Sequence, residues 1–99
     1  MEILNFEFPA SAAPTRQALV GCVGSGDLEI LMQPNQTEKI TIQVVTSVDG
    51  SSQRWKNLFE RMFSAQTPPA VHADIHDFGA TPGVVRLRFE QALEEVNRG

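Results

Sequence analysis

Gly24-Ser25-Gly26-Asp27 holds the serine of this chain best placed to react. Glycine has no Cβ and takes positive φ at little cost, so the backbone turns sharply there and another molecule can come close. A serine so flanked offers its hydroxyl to a modifying enzyme. The same tripeptide is also ordinary hairpin chemistry with no further role. As a hydrolase nucleophile Ser25 lacks its setting, which is Gly-x-Ser-x-Gly before a helix with a histidine and an acid to follow. Gly21, Gly24 and Gly26 do not match the Gly-x-Gly-x-x-Gly fingerprint that binds dinucleotides at a helix start. Asp27 is a candidate contact for a modifying or partner enzyme, or else a cap for its own turn. Gly24 and Gly26 serve as permissive backbone.

Other chemistry-bearing residues have plainer explanations. Cys22 has no Lys, Arg or His near it in sequence to lower its pKa, so it reads as a small strand hydrophobe rather than a reactive thiol. His72, Asp74 and His76 alternate and therefore share one strand face. Imidazole and carboxylate are ordinary zinc ligands, yet the three also simply complete the apolar alternation of Val71, Ala73 and Ile75, as the solvated face of a sheet would. No metal is expected. Arg86 and Arg88 can grip a phosphate or a partner's carboxylate, or pair along their helix, as Arg86 with Glu90. Asp77-Phe78-Gly79 copies a kinase tripeptide without the Gly-rich loop or catalytic loop a kinase needs. Asn35-Gln36-Thr37 is a glycosylation sequon in a chain with no secretory signal.

The elements that position these residues change period half-way along. Leu4, Phe6 and Phe8 alternate with Asn5 and Glu7, which predicts a half-buried strand over 3–8. Pro9 to Pro14 is a loop. Gln17 to Val23 is a second strand, with Leu19, Gly21 and Val23 on one face. Asp27 to Gln33 is a third, with Leu28, Ile30 and Met32 alternating. The Gly-Ser-Gly break between the last two makes them a hairpin. Lys39 to Val48 is β-branched almost throughout and predicts a fourth strand carrying Ile40, Ile42 and Val44 on one side. After the turn and N-cap residues Asp49-Gly50-Ser51-Ser52, the residues Trp55, Leu58, Phe59, Met62 and Phe63 form a helical stripe. Thr67-Pro68-Pro69 stops it. Ala70 to His76 is a short strand with His72, Asp74 and His76 outward. Thr81-Pro82 then caps a second helix striped by Val85, Phe89, Ala92, Leu93 and Val96. The expectation is an α+β fold, a mostly antiparallel β-sheet with two amphipathic helices packed on one face, in the order β-β-β-β-α-β-α.

Composition bounds the function. The 99 residues suit one domain, 1–99, with one modest core and little room for a deep cavity. Twelve acids against eight bases leave a net charge of −4, which argues against nucleic acid or an anionic membrane as partner. The apolar runs are far too short to span a membrane, and the N-terminus has no signal-peptide pattern. One cysteine makes no internal disulfide. The default address is the cytoplasm.

At Val23-Gly24-Ser25-Gly26-Asp27-Leu28-Glu29 the sequence resembles the acyl carrier (delta) subunit family of bacterial malonate decarboxylase. The opening Leu4-Asn5-Phe6-Glu7-Phe8-Pro9, the Ala18-Leu19-Val20-Gly21 strand and the long run Asp77-Phe78-Gly79-Ala80-Thr81-Pro82-Gly83-Val84-Val85-Arg86-Leu87-Arg88 carry the likeness along nearly the whole chain. The resemblance implies that Ser25 holds a covalent 2′-(5″-phosphoribosyl)-3′-dephospho-CoA arm through a phosphodiester. It also implies a non-catalytic carrier served by acyltransferase and decarboxylase subunits and by a cofactor-transferase enzyme. Acyl groups would ride as thioesters while malonate is converted to acetate and CO₂. Ordinary 4′-phosphopantetheine carriers differ, being helical bundles with an Asp-Ser-Leu motif. The acyl carrier subunit of citrate lyase, which uses the same type of arm, is the nearest alternative. From the residues alone, an interaction module docking through the sheet or the Trp55 helix stays open. So does a free-standing enzyme using Cys22 or the histidines.

Overall fold

Each stretch of period-two alternation forms a strand, and both stripes of 3.6 period form helices. The computed structural model describes residues 1–21, 24 and 26–98, so Cys22, Val23, Ser25 and Gly99 lie outside the described residues. The elements are β1 (Glu2–Pro9), β2 (Ala18–Gly21), β3 (Leu28–Pro34), β4 (Lys39–Thr46), α1 (Ser52–Ala65), β5 (Val71–Asp77) and α2 (Pro82–Asn97), in the expected order β-β-β-β-α-β-α.

The strands form one sheet in the order β1-β4-β5-β3-β2. All neighbours are antiparallel except β4 and β5, which run parallel. Parallel neighbours cannot be joined by a tight turn, and α1 makes the crossover between them. The two β-branched strands thereby occupy the middle of the sheet. There Ile40, Ile42 and Val44 of β4 and Val71, Ala73 and Ile75 of β5 are fully buried. Leu28, Ile30 and Met32 of β3 continue the same face.

Both helices cover that face. From α1, Trp55, Phe59 and Met62 are buried; from α2, Val85, Phe89, Ala92 and Val96. Leu58, Phe63 and Leu93 flank them half-buried. Phe59 is the hub. Its ring centroid lies 5.6 Å from Phe6, 5.8 Å from Trp55, 6.0 Å from Phe63 and 5.5 Å from Phe89, the tilted or stacked spacings that aromatic pairs favour. This cluster pins edge strand β1 and both helices to one another.

Leu19 and Gly21 share a face of β2, as expected, and it is the face away from the helices: Leu19 is 63% exposed, whereas Ala18 is 6% exposed. The register decides this, because Ala18 and Val20 lie opposite Met32 and Ile30, which point into the core. The strand begins at Ala18 rather than at the expected Gln17, and the expected end at Cys22 and Val23 falls outside the described residues. Likewise β4 ends at Thr46 rather than Val48, since the Val48 N–H turns back to Thr46 Oγ1 at 3.0 Å. Ser51 precedes α1, but its hydroxyl donates to the Val48 carbonyl at 3.2 Å instead of capping the helix. Thr81 behaves as expected: its Oγ1 accepts from the Val84 N–H at 3.3 Å, with Pro82 in the first turn.

Candidate functional site

The chain between β2 and β3 contains Ser25, which lies outside the described residues; its neighbours Gly24, Gly26 and Asp27 are described. They form a short turn in which the Asp27 N–H donates to the Gly24 carbonyl at 3.2 Å. Gly26 has φ +80°, a conformation that L side chains rarely adopt. A Cβ added at Gly24 or at Gly26 would meet nothing within 4 Å. The described glycines of this turn therefore have room around them.

The base of this turn is fastened twice. The antiparallel ladder of β3 and β5 runs past its last pair, Leu28 with Asp77, into the loops. The Gly26 N–H donates to the Phe78 carbonyl at 2.9 Å and the Phe78 N–H to the Asp27 carbonyl at 2.9 Å. The second fastening is ionic. Arg88, on α2, grips Asp27 with both arms of its guanidinium, Nε to Oδ1 at 3.1 Å and Nη2 to Oδ2 at 2.9 Å. A two-pronged guanidinium–carboxylate pair fixes direction as well as distance. Asp27 Oδ1 also accepts from the Leu28 N–H at 2.7 Å. The Arg88 hydrogen bonds foremost, and then the Leu28 N–H, hold the Asp27 carboxyl below the usual aspartate range, against the opposing effect of desolvation.

Asp77 anchors the other side of the seam. Its carboxylate is buried and accepts from Thr46 Oγ1 at 2.8 Å and from the N–H groups of Gly79 and Ala80 at 3.1 and 2.8 Å. The tripeptide it opens is thus a turn-forming device, placed so that Phe78 presents its backbone to Gly26.

The candidates of the sequence sort accordingly. Gly24, Gly26 and Asp27 come together. Asp27 takes the turn-capping role through its own side chain, with Arg88 added. Arg86 pairs with Glu90 along the helix at 3.1 Å, as expected, but Arg88 does not stay a solvated helix residue. Its partner lies 61 residues away in sequence, and no local pattern announces the pair. His72, Asp74 and His76 do share the uncovered sheet face. His72 Nε2 lies 3.0 Å from Asp74 Oδ1 and Nδ1 lies 2.7 Å from Thr41 Oγ1, the hydroxyl on the neighbouring strand. Among the described residues no three His, Cys, Asp or Glu side chains come together as a metal site. No helix of the described chain is long and apolar enough to cross a membrane.

Comparison with known proteins bears on the same segment. Residues 15–96 match the family model described as malonate decarboxylase delta subunit (MdcD), which spans the glycine-flanked turn, Arg88 and the seam between them. The chain belongs to the malonate decarboxylase delta subunit family. Among its curated relatives is the malonate decarboxylase acyl carrier protein of Pseudomonas syringae pv. tomato, 69% identical over 96 residues that cover 97% of each chain. The Azotobacter vinelandii protein of the same name is 65% identical over 97 residues, 98% of each chain. Among solved structures, a chain in the crystal structure of a Pseudomonas malonate decarboxylase hetero-tetramer in complex with malonate superimposes with a TM-score of 0.94. It is 66% identical, and the match covers 97% of this chain and 99% of that one. The relatives are named as acyl carrier proteins, and the α+β sheet of this chain is unlike the helical bundle of ordinary carriers.

Proposed function

We propose that this chain is the acyl carrier subunit of a malonate decarboxylase, with Ser25 as the point of attachment of a covalent 2′-(5″-phosphoribosyl)-3′-dephospho-CoA arm. The observation that carries the site assignment is the open space at both flanking glycines, on a turn whose base is otherwise held rigidly. The arm, when bound, supplies a thiol on which an acyl group is held as a thioester, whose carbonyl stabilises the enolate-like charge of decarboxylation better than a carboxylate does.

The chain's own residues hold and present. Gly24 and Gly26 keep side chains away from the Ser25 hydroxyl, so that a transferase can reach it. The Arg88–Asp27 pair and the Gly26–Phe78 backbone bonds fasten the base of the turn to the body at Asp27 and Gly26. The Phe59 cluster keeps that body stiff. Tethering raises the effective concentration of the acyl group at each partner's active site, here those of acyltransferase and decarboxylase subunits. The carrier itself supplies no general acid or base in this reading.

An intact-mass measurement on the chain produced with its cofactor-transfer enzymes tests the assignment. The expected result is one adduct, mapped to Ser25, that disappears in Ser25→Ala while the melting curve stays unchanged. An adduct on another residue overturns the attachment site. Normal turnover of the reconstituted decarboxylase with Ser25→Ala, or an unmodified chain beside demonstrably active transfer enzymes, overturns the carrier reading.

A further inference from the structure

A groove of about 310 Å³ opens between the first turns of α1 and α2. Its walls are the side chains of Val48, Trp55, Leu58, Pro82 and Val85, and it runs up to the backbone of Gly79 and Ala80. Gly79 lies against the serine-bearing turn: a Cβ built on it would stand 4.0 Å from the Gly26 amide nitrogen. Gly79 thus borders both the groove and the turn on which the arm is proposed to begin. The groove is largely apolar space left unfilled by the chain's own residues.

Two charged residues line it, and they differ. The Asp77 carboxylate is committed to Thr46 and to two backbone N–H groups. Arg54, at the mouth, is exposed, and its guanidinium has no hydrogen-bond or ion-pair partner among the described residues. An acyl group entering the groove meets apolar walls, and one ending in a carboxylate meets an uncompensated cation as well.

We propose that this groove is a resting site for the acyl-thioester end of the arm, and that Arg54 makes it prefer a carboxylated acyl group over a neutral one. The proposal rests on the carrier reading for its tether, but not for its specificity, and the two are separable by experiment. Trp55 lines the groove and is the only tryptophan in a chain with no tyrosine, so its emission reports on this place alone. The unmodified chain is titrated with untethered acetyl-pantetheine and malonyl-pantetheine while Trp55 emission is followed. Malonyl-pantetheine is expected to half-saturate the change at roughly two- to fivefold lower concentration, the range of a solvent-exposed ion pair. Arg54→Gln removes that preference and leaves the acetyl titration unchanged. Val48→Glu, a change at a partly exposed rim position, weakens both while the melting curve is retained. In a second arm, chain bearing the arm by intact mass shows the same Trp55 shift on loading, and Val48→Glu abolishes it.

Absence of an adduct overturns the tether and leaves the titrations to judge the groove. An adduct with no Trp55 response in either arm of the experiment overturns the groove while the carrier reading stands. Binding that is equal for both thioesters, or untouched by Arg54→Gln and Val48→Glu, overturns it too.

Discussion

Replacing Gly21, Gly24 and Gly26 by alanine, one at a time, separates three backbone situations within one hairpin. Gly24 has no left-handed φ to maintain and open space where a Cβ would go. Alanine there is expected to change stability by no more than about 0.5 kcal/mol, the usual range for an exposed position free of strain. Gly26 also has open space but sits at φ +80°. The left-handed conformation costs an L residue about 1–2 kcal/mol, so Gly26→Ala should lose that much. Gly21 has φ +96° and, in addition, a Cβ there would stand 1.9 Å from the Leu28 carbonyl oxygen and 3.0 Å from its carbon. The obstacle is the backbone of β3, which no rotamer change can move aside. The strand pair would have to open by about 1 Å at a point where Gly21 is registered against Glu29. Strain of both kinds together is expected to cost about 3–4 kcal/mol. For a domain of this size each kcal/mol shifts Tm by roughly 4–8 °C, so the three variants should melt in clearly separated steps. Thermal and urea unfolding followed by far-ultraviolet circular dichroism measure the series. Gly21→Ala melting level with Gly24→Ala would refute the reasoning, since it would deny both the left-handed backbone and the close approach of Leu28.

Phe59→Ala should lose about 3–5 kcal/mol, because the ring is fully buried and touches aromatic neighbours from β1 and both helices, and Phe59→Leu should recover more than half; a loss below about 1 kcal/mol in urea unfolding would remove it from the centre of the core. Thr81→Ala should cost about 1 kcal/mol and Thr81→Ser restore it, as read by Tm; an unchanged Tm would mean that the Val84 N–H does not depend on the Thr81 hydroxyl. The Asp27 carboxyl is held below its ordinary value in the folded chain, so over the interval between the two values the unfolded state binds more protons. Its contribution is accordingly whole above the ordinary aspartate range and is lost as pH falls through the lowered folded value. The stability gap between the natural chain and Asp27→Asn should then be open at neutral pH and close in acid, with Arg88→Gln showing the same trend; a gap constant across that range would exclude the ion pair as its source.

Sequence alone was enough for the kind and order of the elements. The alternation Leu4-Phe6-Phe8, the β-branched run after Lys39 and the stripes through Phe59 and Phe89 are local patterns, and a strand or helix is chosen by which period buries the apolar residues on one side. Thr81-Pro82 was legible for the same reason, since a cap and its N–H groups lie within one turn. Ser25 was singled out by type and setting, a hydroxyl between glycines, and the role proposed for it came from the likeness of the surrounding residues to a family.

Tertiary structure alone decided which residues meet. The sheet order puts β5 between β4 and β3, and nothing in any one strand specifies its neighbours. That order carries Phe78 to Gly26 and Arg88 across to Asp27, and it sets Thr41 beside His72. It also decided which face of β2 turns inward, because the side of a short edge strand is set by register against Ile30 and Met32 rather than by its own four residues. Gly21 shows the division most sharply. In sequence it is one more glycine near a turn; in the fold, the carbonyl of Leu28 occupies the space where any side chain would begin. Periodicity acts along the chain and is written there, whereas contact between distant residues depends on how all the elements share one core.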